Sequence, residues 1–223
     1  MALSGTVEAA GDGLRGIDTN SVVTAAMAAN FFARGFRYCV RYVSRIAKQG
    51  ADDLSTSEAI DLLNAGLAVM PVQHVRAAGW LPSAELGASD GVHAAYHAFV
   101  IGFPAGVNVW CDLEGVSADA AAQQVIVYCN AWYEAVSAAA YVPGLYVGAD
   151  CILDGPALRF RLKFAHYWKS LSDVPEIVGR GYQMVQSHEH VVNGVSIDED
   201  RTQTDLLGGK VLWLAPSLPR GVT

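Results

Sequence analysis

The sequence comprises 223 residues, of which 52% are hydrophobic and 17% charged, and its formal net charge is −7. This length and hydrophobic content suit a folded chain with a large core and exclude intrinsic disorder. The excess of acidic over basic residues, with no basic stripe along the chain, argues against a nucleic acid partner.

Residues 1–13 are rich in glycine and small side chains, and we expect a flexible leader there, ahead of one domain over residues 14–223. The leader lacks the basic region and apolar core of a secretory signal peptide, which predicts synthesis in the cytoplasm. Glycine, proline or a charge interrupts every apolar run before the ~18 residues that a membrane span requires. Membrane insertion is therefore not expected.

Apolar runs alternate with stretches of helical period in the first half of the chain. They predict buried strands over residues 14–18, 36–42, 67–73 and 107–114. Four helices are predicted. The first covers residues 22–33, and the second begins with a capping box at Ser55 and Glu58 and ends near Gly66. The third includes His93 and Phe99, and the fourth begins after a cap at Ser117. A long polar loop over residues 74–90 separates the third strand from the third helix.

The second half of the chain is less regular. Its apolar runs predict strands over residues 141–147, 163–168, 181–186 and 194–198, with shorter connections. Strands that alternate with helices favour a parallel sheet, and eight of them favour closure. The predicted fold is therefore α/β, a single (β/α)8-type TIM barrel whose later crossovers are short or irregular.

Carboxylates follow three of these strands, as Asp18, as Asp112 with Glu114, and as Asp198 with Asp200. One Asp at a strand end is more typical of a turn or helix cap than of a catalyst. In a barrel, however, the first and eighth strands are neighbours and the fourth faces them, so all these acids gather at one mouth. Functional sites of such barrels lie at that end.

Asp112 and Glu114 are spaced i, i+2 on a predicted strand, which puts them on one face with Cα atoms roughly 6.7 Å apart. Carboxylates this close repel each other, so one pKa rises and the pair can supply an acid and a base. The same alternation places Trp110 inside the barrel beneath the acids, where we expect it to pack in the core.

Several phrases of the sequence resemble landmarks of family 25 glycoside hydrolases, which are cell-wall lysozymes on a β/α barrel. These phrases are Gly16-Ile17-Asp18, Asp112-Leu113-Glu114, Gly144-Leu145-Tyr146, Gln186-Ser187 and Val195-Ser196-Ile197-Asp198. The chain is more similar still to the related glycoside-hydrolase-like domains of bacteria and phages, which share the Arg41-Tyr42 pair after the second strand. This resemblance covers about residues 14–207.

The resemblance implies hydrolysis of a β-1,4 bond in peptidoglycan or a related amino-sugar polymer, without a metal or organic cofactor. Glu114 would be the general acid, and Asp112 the ionised partner that stabilises an oxocarbenium ion or orients an N-acetyl group. The other residues assigned to substrate binding are Asp18, Asp198, Asp200, Tyr146 and Gln186. A protein of this kind would reach the cell wall by a non-standard or phage route, and its oligomeric state is open.

Two alternatives remain from the sequence. The first is a catalytically inactive barrel that binds glycan or belongs to a wall or virion, with Trp168 and Tyr182 as candidate aromatic surfaces. The second is a metal-dependent hydrolase, because His93 and His97 are spaced i, i+4 and His188-Glu189-His190 adds further ligand types. The histidines lack the Glu of the zinc-protease motif, which favours ordinary surface histidines.

Overall fold

The computed structural model describes residues 2–192 and 194–217. Its strands are β1 Thr6–Ala9, β2 Arg15–Thr19, β3 Tyr38–Val43, β4 Ala68–Gln73, β5 Asn108–Leu113, β6 Val142–Val147, β7 His166–Lys169, β8 Met184–Val192, β9 Val195–Thr202 and β10 Leu212–Ala215. Its helices are α1 Ala25–Ala33, α2 Thr56–Asn64, α3 Ala84–Ile101, α4 Ala122–Ala138 and α5 Gly155–Phe160.

Eight strands close into a barrel in the order β4-β3-β2-β9-β8-β7-β6-β5, and a β4–β5 pairing between Val72 and Trp110 completes the ring. These are the eight strands that the sequence predicted, so the α/β barrel prediction is confirmed. The pairings from β2 through β3, β4, β5, β6 and β7 to β8 are parallel, as expected for strands joined by crossovers.

The last barrel strand runs in the opposite direction from the prediction. β9 is antiparallel to both β8 and β2. The reason is the connection: β8 ends at Val192 and β9 begins at Val195, whereas a parallel pair needs a crossover of about a dozen residues. The chain therefore forms a hairpin here, which changes the direction in which the acids of β9 point along the barrel.

A further strand pair extends the sheet beside the barrel. β1 pairs antiparallel with β10, from Thr6 opposite Ala215 to Ala9 opposite Leu212, and β10 pairs in turn with β4. Leu3 and Ala10, on either side of β1, are both buried. The segment that the sequence predicted to be a leader therefore contributes a strand to the sheet.

Two helix starts differ from the prediction. Helix α3 begins at Ala84, where the Ser83 hydroxyl accepts a hydrogen bond from the Leu86 amide, so the predicted loop is shorter by several residues. Helix α4 follows Ala121 and not Ser117, whose hydroxyl instead accepts from the amide of Asp119 in the preceding turn. In both places a serine or a polar stretch fits a turn and a helix cap equally well.

The Ser55 cap of α2 is confirmed, because its hydroxyl accepts from the Glu58 amide at 3.1 Å. The other half of the predicted capping box is absent. Instead of returning to the cap, the Glu58 carboxylate accepts from the Val23 amide at 2.8 Å and from the Arg41 guanidinium. Glu58 of α2 thus connects this helix to β3, through Arg41, and to the backbone just before α1, through Val23.

Trp110 lies inside the barrel as predicted, fully buried and edge-on to Trp168 with ring centroids 5.9 Å apart. Gly144 on the neighbouring β6 leaves room for it, since a Cβ there would come within 2.4 Å of the indole ring. The four cysteines, Cys39, Cys111, Cys129 and Cys151, are free and buried. Among the residues that the structure describes, no helix is long and apolar enough to cross a membrane.

Candidate active site

A cavity of about 310 Å³ opens at the end of the barrel where β2 and β5 finish. Five acidic side chains line it: Asp18, Asp112, Glu114, Glu189 and Asp198. They share its wall with Thr19, Asn20, Tyr42, His74, Val75, Ser196 and Ile197. The structure thus brings together four of the residues predicted from the sequence and adds Glu189 from the β8–β9 hairpin.

The positions of Asp112 and Glu114 follow from the end of β5. Asp112 is in the strand, opposite Tyr146 of β6, and Glu114 is the first residue after the strand. The indole N–H of Trp80 donates to the Glu114 carbonyl at 2.9 Å, which attaches the loop after β4 to this backbone. Gly115 follows with φ of 63°, a left-handed conformation that turns the chain away from the cavity.

Both carboxyls of this pair hold a proton more tightly than an exposed acid. Burial raises the pKa of Asp112 well above its ordinary value, and the charges of Glu114 and Asp18 raise it further. Burial also raises the pKa of Glu114, followed by the charges of Asp198 and Asp150. The sequence predicted an ionised Asp112, whereas burial in the free protein favours its neutral form.

Asp18 is held from two sides. Its Oδ2 accepts from Nε2 of Gln186 at 2.9 Å, and its Oδ1 accepts from the Tyr42 hydroxyl at 3.4 Å. The Tyr146 hydroxyl donates to the other end of Gln186 at 3.1 Å, so Gln186 joins Tyr146 to Asp18. Burial, and then the charge of Asp198, raises the pKa of Asp18 to about 7 despite these hydrogen bonds.

Because β9 runs antiparallel to β2, its two acids, Asp198 and Asp200, lie at different depths in the barrel, with Asp198 nearer the mouth. Asp198 lies opposite Asp18 and lines the cavity, whereas Asp200 lies opposite Gly16, deeper in the barrel, and is fully buried. Gln186 is paired with Asp200 in the register of β8 and β9 and is also buried. Asp200 and Gln186, which the resemblance assigned to substrate binding, thus lie below the cavity and do not line it.

Tyr146 is half-buried and does not line the cavity. Its ring packs edge-on against Trp168 at 4.6 Å, and its hydroxyl is used by Gln186. Tyr146 therefore acts on the acids indirectly, through Gln186, which donates a hydrogen bond to Asp18.

Gly148, just after β6, sets the space available to Glu114. A Cβ at this position would come within 2.4 Å of Glu114 Cβ and 2.5 Å of its Oε2. Rotation of the glutamate cannot move its Cβ, so the Gly148→Ala variant must displace the backbone that carries the carboxyl. The resemblance described above implies that Glu114 is a general acid, and displacement of such a group by about 1 Å costs on the order of 100-fold in rate. On that expectation, kcat of Gly148→Ala should fall by a factor of this size.

Gly11→Ala is the matched control for Gly148→Ala, because its added methyl group meets no atom closer than 3.4 Å. The measurement is the initial rate of glycan hydrolysis for both variants, together with their melting temperatures. Equal rates for the two glycine variants would show that Gly148 does not position Glu114.

Sequence reasoning missed several residues around the cavity. Tyr42 was noted only as part of a phrase, yet it donates to Asp18 and stacks on His74 with ring centroids 4.9 Å apart. His74 is in turn 2.6 Å from Asp53 Oδ1. Alternation along β3 from the inward-facing Tyr38 would have placed Tyr42 on the inner face. No comparable signal marks Glu189, because its position depends on the hairpin.

A second cavity of about 490 Å³ adjoins the first and shares Asn20 and His74 with it. The rest of its wall comes from the loops after β2 and β3, as Ser21, Val22, Gly50, Ala51, Asp52 and Asp53. Together the two cavities extend the mouth of the barrel sideways across these loops.

Trp168 and Tyr182 do not form the aromatic surface that was considered for them. Their exposed fractions are 1% and 2%, because both pack into the core. The Trp168 indole N–H donates to Asp200 at 2.8 Å, and the Tyr182 hydroxyl donates to the Pro175 carbonyl. The aromatic side chains that line the acidic cavity are instead Tyr42 and His74.

The histidines considered as metal ligands have other surroundings. His97 is buried and its Nε2 lies 2.7 Å from the Ile46 carbonyl, while His93 stacks against it at 6.5 Å. Within residues 2–192 and 194–217, no group of three His, Cys, Asp or Glu side chains is arranged to hold a metal ion.

An eight-stranded α/β barrel with carboxylates gathered at its mouth defines a glycoside hydrolase-like protein. The sequence model of the Rv2525c-like, glycoside hydrolase-like domain matches residues 29–203. The chain belongs to this family, which confirms the resemblance inferred from its motifs. No curated protein matches the sequence.

Solved structures share the fold at low sequence identity. The Tat-secreted protein Rv2525c of Mycobacterium tuberculosis, in complex with L-tartrate, is 20% identical with a TM-score of 0.66, over 86% of this chain and 96% of that one. A bacterial lysozyme from Streptomyces coelicolor is 15% identical with a TM-score of 0.59, over 87% and 94%. A family 25 glycosyl hydrolase from Bacillus anthracis is 12% identical with a TM-score of 0.56, over 86% and 89%. The chain thus shares its barrel fold with a lysozyme and a family 25 glycosyl hydrolase.

Proposed function

We propose that the protein hydrolyses the amino-sugar backbone of peptidoglycan, with Glu114 as the general acid. The observation that carries this proposal is the convergence of Asp18, Asp112, Glu114 and Asp198 on one cavity at the barrel mouth. Glycoside hydrolysis uses such acids to protonate the leaving oxygen and to stabilise a positive sugar ring. The raised pKa of Glu114 suits a group that must carry a proton near neutral pH.

Asp112 would orient the N-acetyl group of the sugar or stabilise the oxocarbenium ion. Its Oδ1 is buried and has no hydrogen-bond partner among the described atoms, so an acetamido N–H would provide one. A hydrogen bond to the charged form lowers the pKa of a carboxyl. Binding of substrate would thereby shift Asp112 towards its ionised form, with release of its proton to the solvent, and the chemical step requires the ionised form.

The comparisons support the choice of substrate. The related structures include a lysozyme and a family 25 glycosyl hydrolase, and these share the barrel. The two adjoining cavities form one groove lined mainly by polar side chains, which suits a polar sugar chain. Since Rv2525c of M. tuberculosis is Tat-secreted, we also place the site of action of this chain at the cell wall.

The test is the release of reducing ends from purified peptidoglycan and from N-acetylglucosamine oligomers, without added metal or cofactor. The expected result is a rate above that of a heat-inactivated sample, with products that mass spectrometry identifies as cleaved between sugars. An absence of new reducing ends from every amino-sugar polymer would reject the proposal.

A second candidate is glycan binding without catalysis. The burial of Asp112 favours it, because burial raises the pKa of this carboxyl and favours its neutral form, whereas the chemical step requires the ionised form. Binding of soluble glycan fragments to the wild-type protein, detected by calorimetry without any release of reducing ends, would select this candidate.

A further inference from the structure

Asp200 is a fully buried acid that the reaction proposed above does not use. Its Oδ1 accepts from the Trp168 indole at 2.8 Å, but its Oδ2 has no donor among the described atoms. The Tyr38 hydroxyl, another inward-facing group, is also buried without a partner there. A charged carboxylate with one free oxygen in such a place is costly unless that oxygen carries a proton.

The neighbour that can accept this proton is Asp18. Both side chains point into the barrel from adjacent strands, because Gly16 is opposite Asp200 and Asp18 is two residues further along β2. The two carboxyl groups lie within hydrogen-bonding reach of each other. Two ionised carboxylates cannot form that bond, whereas a carboxyl and a carboxylate can.

We propose that Asp200 is a positioning residue that stays neutral in the folded protein and donates its carboxyl proton to the carboxylate of Asp18. Above pH 7, which is about the pKa of Asp18, the pair then carries one negative charge, located on the member that lines the cavity. Asp18 in turn faces Asp112, whose proton it helps to retain. This inference deepens the proposed function and rests on it for the role of the pair in hydrolysis.

The titratable groups around Asp200 agree with a neutral carboxyl. Asp18 on β2 and Asp198 on β9 present like charges, Tyr38 on β3 and Tyr146 on β6 present neutral hydroxyls, and no cation is among the groups that shift it. Burial, and then the charge of Asp18, raises the pKa of Asp200 well above its ordinary value.

The sign of the pH effect follows from this burial. A carboxyl that stays neutral when folded but ionises near pH 4 when unfolded costs stability as the pH rises above about 4. The Asp200→Asn variant is isosteric and neutral in both states, and it keeps an acceptor for Trp168 and a donor for Asp18. We expect its melting temperature to exceed that of wild type by a margin that grows by about 3 °C for each pH unit between 4 and 7.

A carboxyl whose pKa is lower in the folded protein than in the unfolded chain would give the opposite sign. Asp200→Asn would then be less stable than wild type at pH 7, and this result would overturn the proposal. A second measurement needs no variant: NMR of protein labelled with carboxyl-13C aspartate should show that Asp200 does not titrate between pH 4 and 8. A titration of Asp200 in that range would also overturn it.

Activity provides a further comparison. Asp200→Asn should keep the pH profile of kcat, whereas Asp200→Ala deprives Asp18 of a donor and should move the profile to higher pH. Equal profiles for the two variants would contradict the positioning role. Because the unfolding and NMR measurements need no substrate, a protein without hydrolytic activity would reject the proposed function while these still decide the protonation of Asp200.

Discussion

Replacing Glu114 by Gln is expected to lower the rate of peptidoglycan hydrolysis by at least about 100-fold, which is the contribution typical of a general acid. Gln has nearly the same shape but cannot release a proton to the leaving oxygen. The melting temperature at pH 7 should stay the same or rise slightly. Because folding raises the pKa of Glu114, its ionisation lowers the stability of the folded protein as the pH rises through that pKa. Gln does not ionise, so the variant does not have this loss.

The pH dependence of the wild-type rate provides a second reading of the same residue. Glu114 must be protonated to act, so kcat/KM should fall as the pH rises through its pKa. Since burial and the charges of Asp198 and Asp150 raise that pKa, the fall should occur at a higher pH than the titration of an exposed glutamate. The Glu114→Gln variant should lack this limb.

Glu189→Gln is the matched control for Glu114→Gln, because it removes the same type of group from the wall of the same cavity. Glu189 is exposed on the hairpin, and we expect its replacement to retain activity within about tenfold. Equal losses in the two variants would mean that the negative charge of the cavity matters and that Glu114 has no special role as proton donor.

The barrel was predictable because its strands carry local signals. Several of the predicted strands, such as 67–73 and 107–114, contain apolar runs bounded by polar or glycine residues, and burial of both faces produces such runs. β1 and β10 carry weaker signals, since each has only four residues and its partner lies about 200 residues away. Pairing at that distance leaves no mark in a single sequence.

The site was predictable only in part, for a related reason. Asp18, Asp112 and Glu114 belong to parallel strands, whose ends are visible in the sequence. Asp198 reaches the mouth although its strand runs the other way, because the hairpin register places it opposite Asp18. That register decides which acid of β9 faces the cavity and which, Asp200, lies beneath it.

The second large effect concerns stability and involves a pair outside the barrel. Arg41→Met is expected to lower the free energy of unfolding by about 3–5 kcal/mol, because it leaves the charge of Glu58 buried without a partner. The two side chains are 0% and 3% exposed and meet at 2.6 Å between Nε and Oε1. Urea denaturation measures the change.

Lys163→Met is the control for Arg41→Met, since the ion pair of Lys163 with Glu134 has exposed fractions of 49% and 60%. Its loss should cost less than about 1 kcal/mol. Adding Glu58→Met to Arg41→Met should recover part of the stability, because no unpaired charge then remains. Equal costs for the two single variants would show that burial of the Arg41 pair has no energetic consequence.

Arg41 also connects this buried pair to the groove. Its guanidinium donates to the carbonyl of Thr19, the last residue of β2, and, at 2.8 Å, to the Asp52 carbonyl after β3. Thr19 lines the acidic cavity and Asp52 lines the cavity beside it. In Arg41→Met protein that is still folded, these two loops lose their common anchor. We therefore expect KM for long glycans to rise more than kcat falls. The position of Glu114 depends on its contacts with Trp80 and Gly148 and not on these two loops.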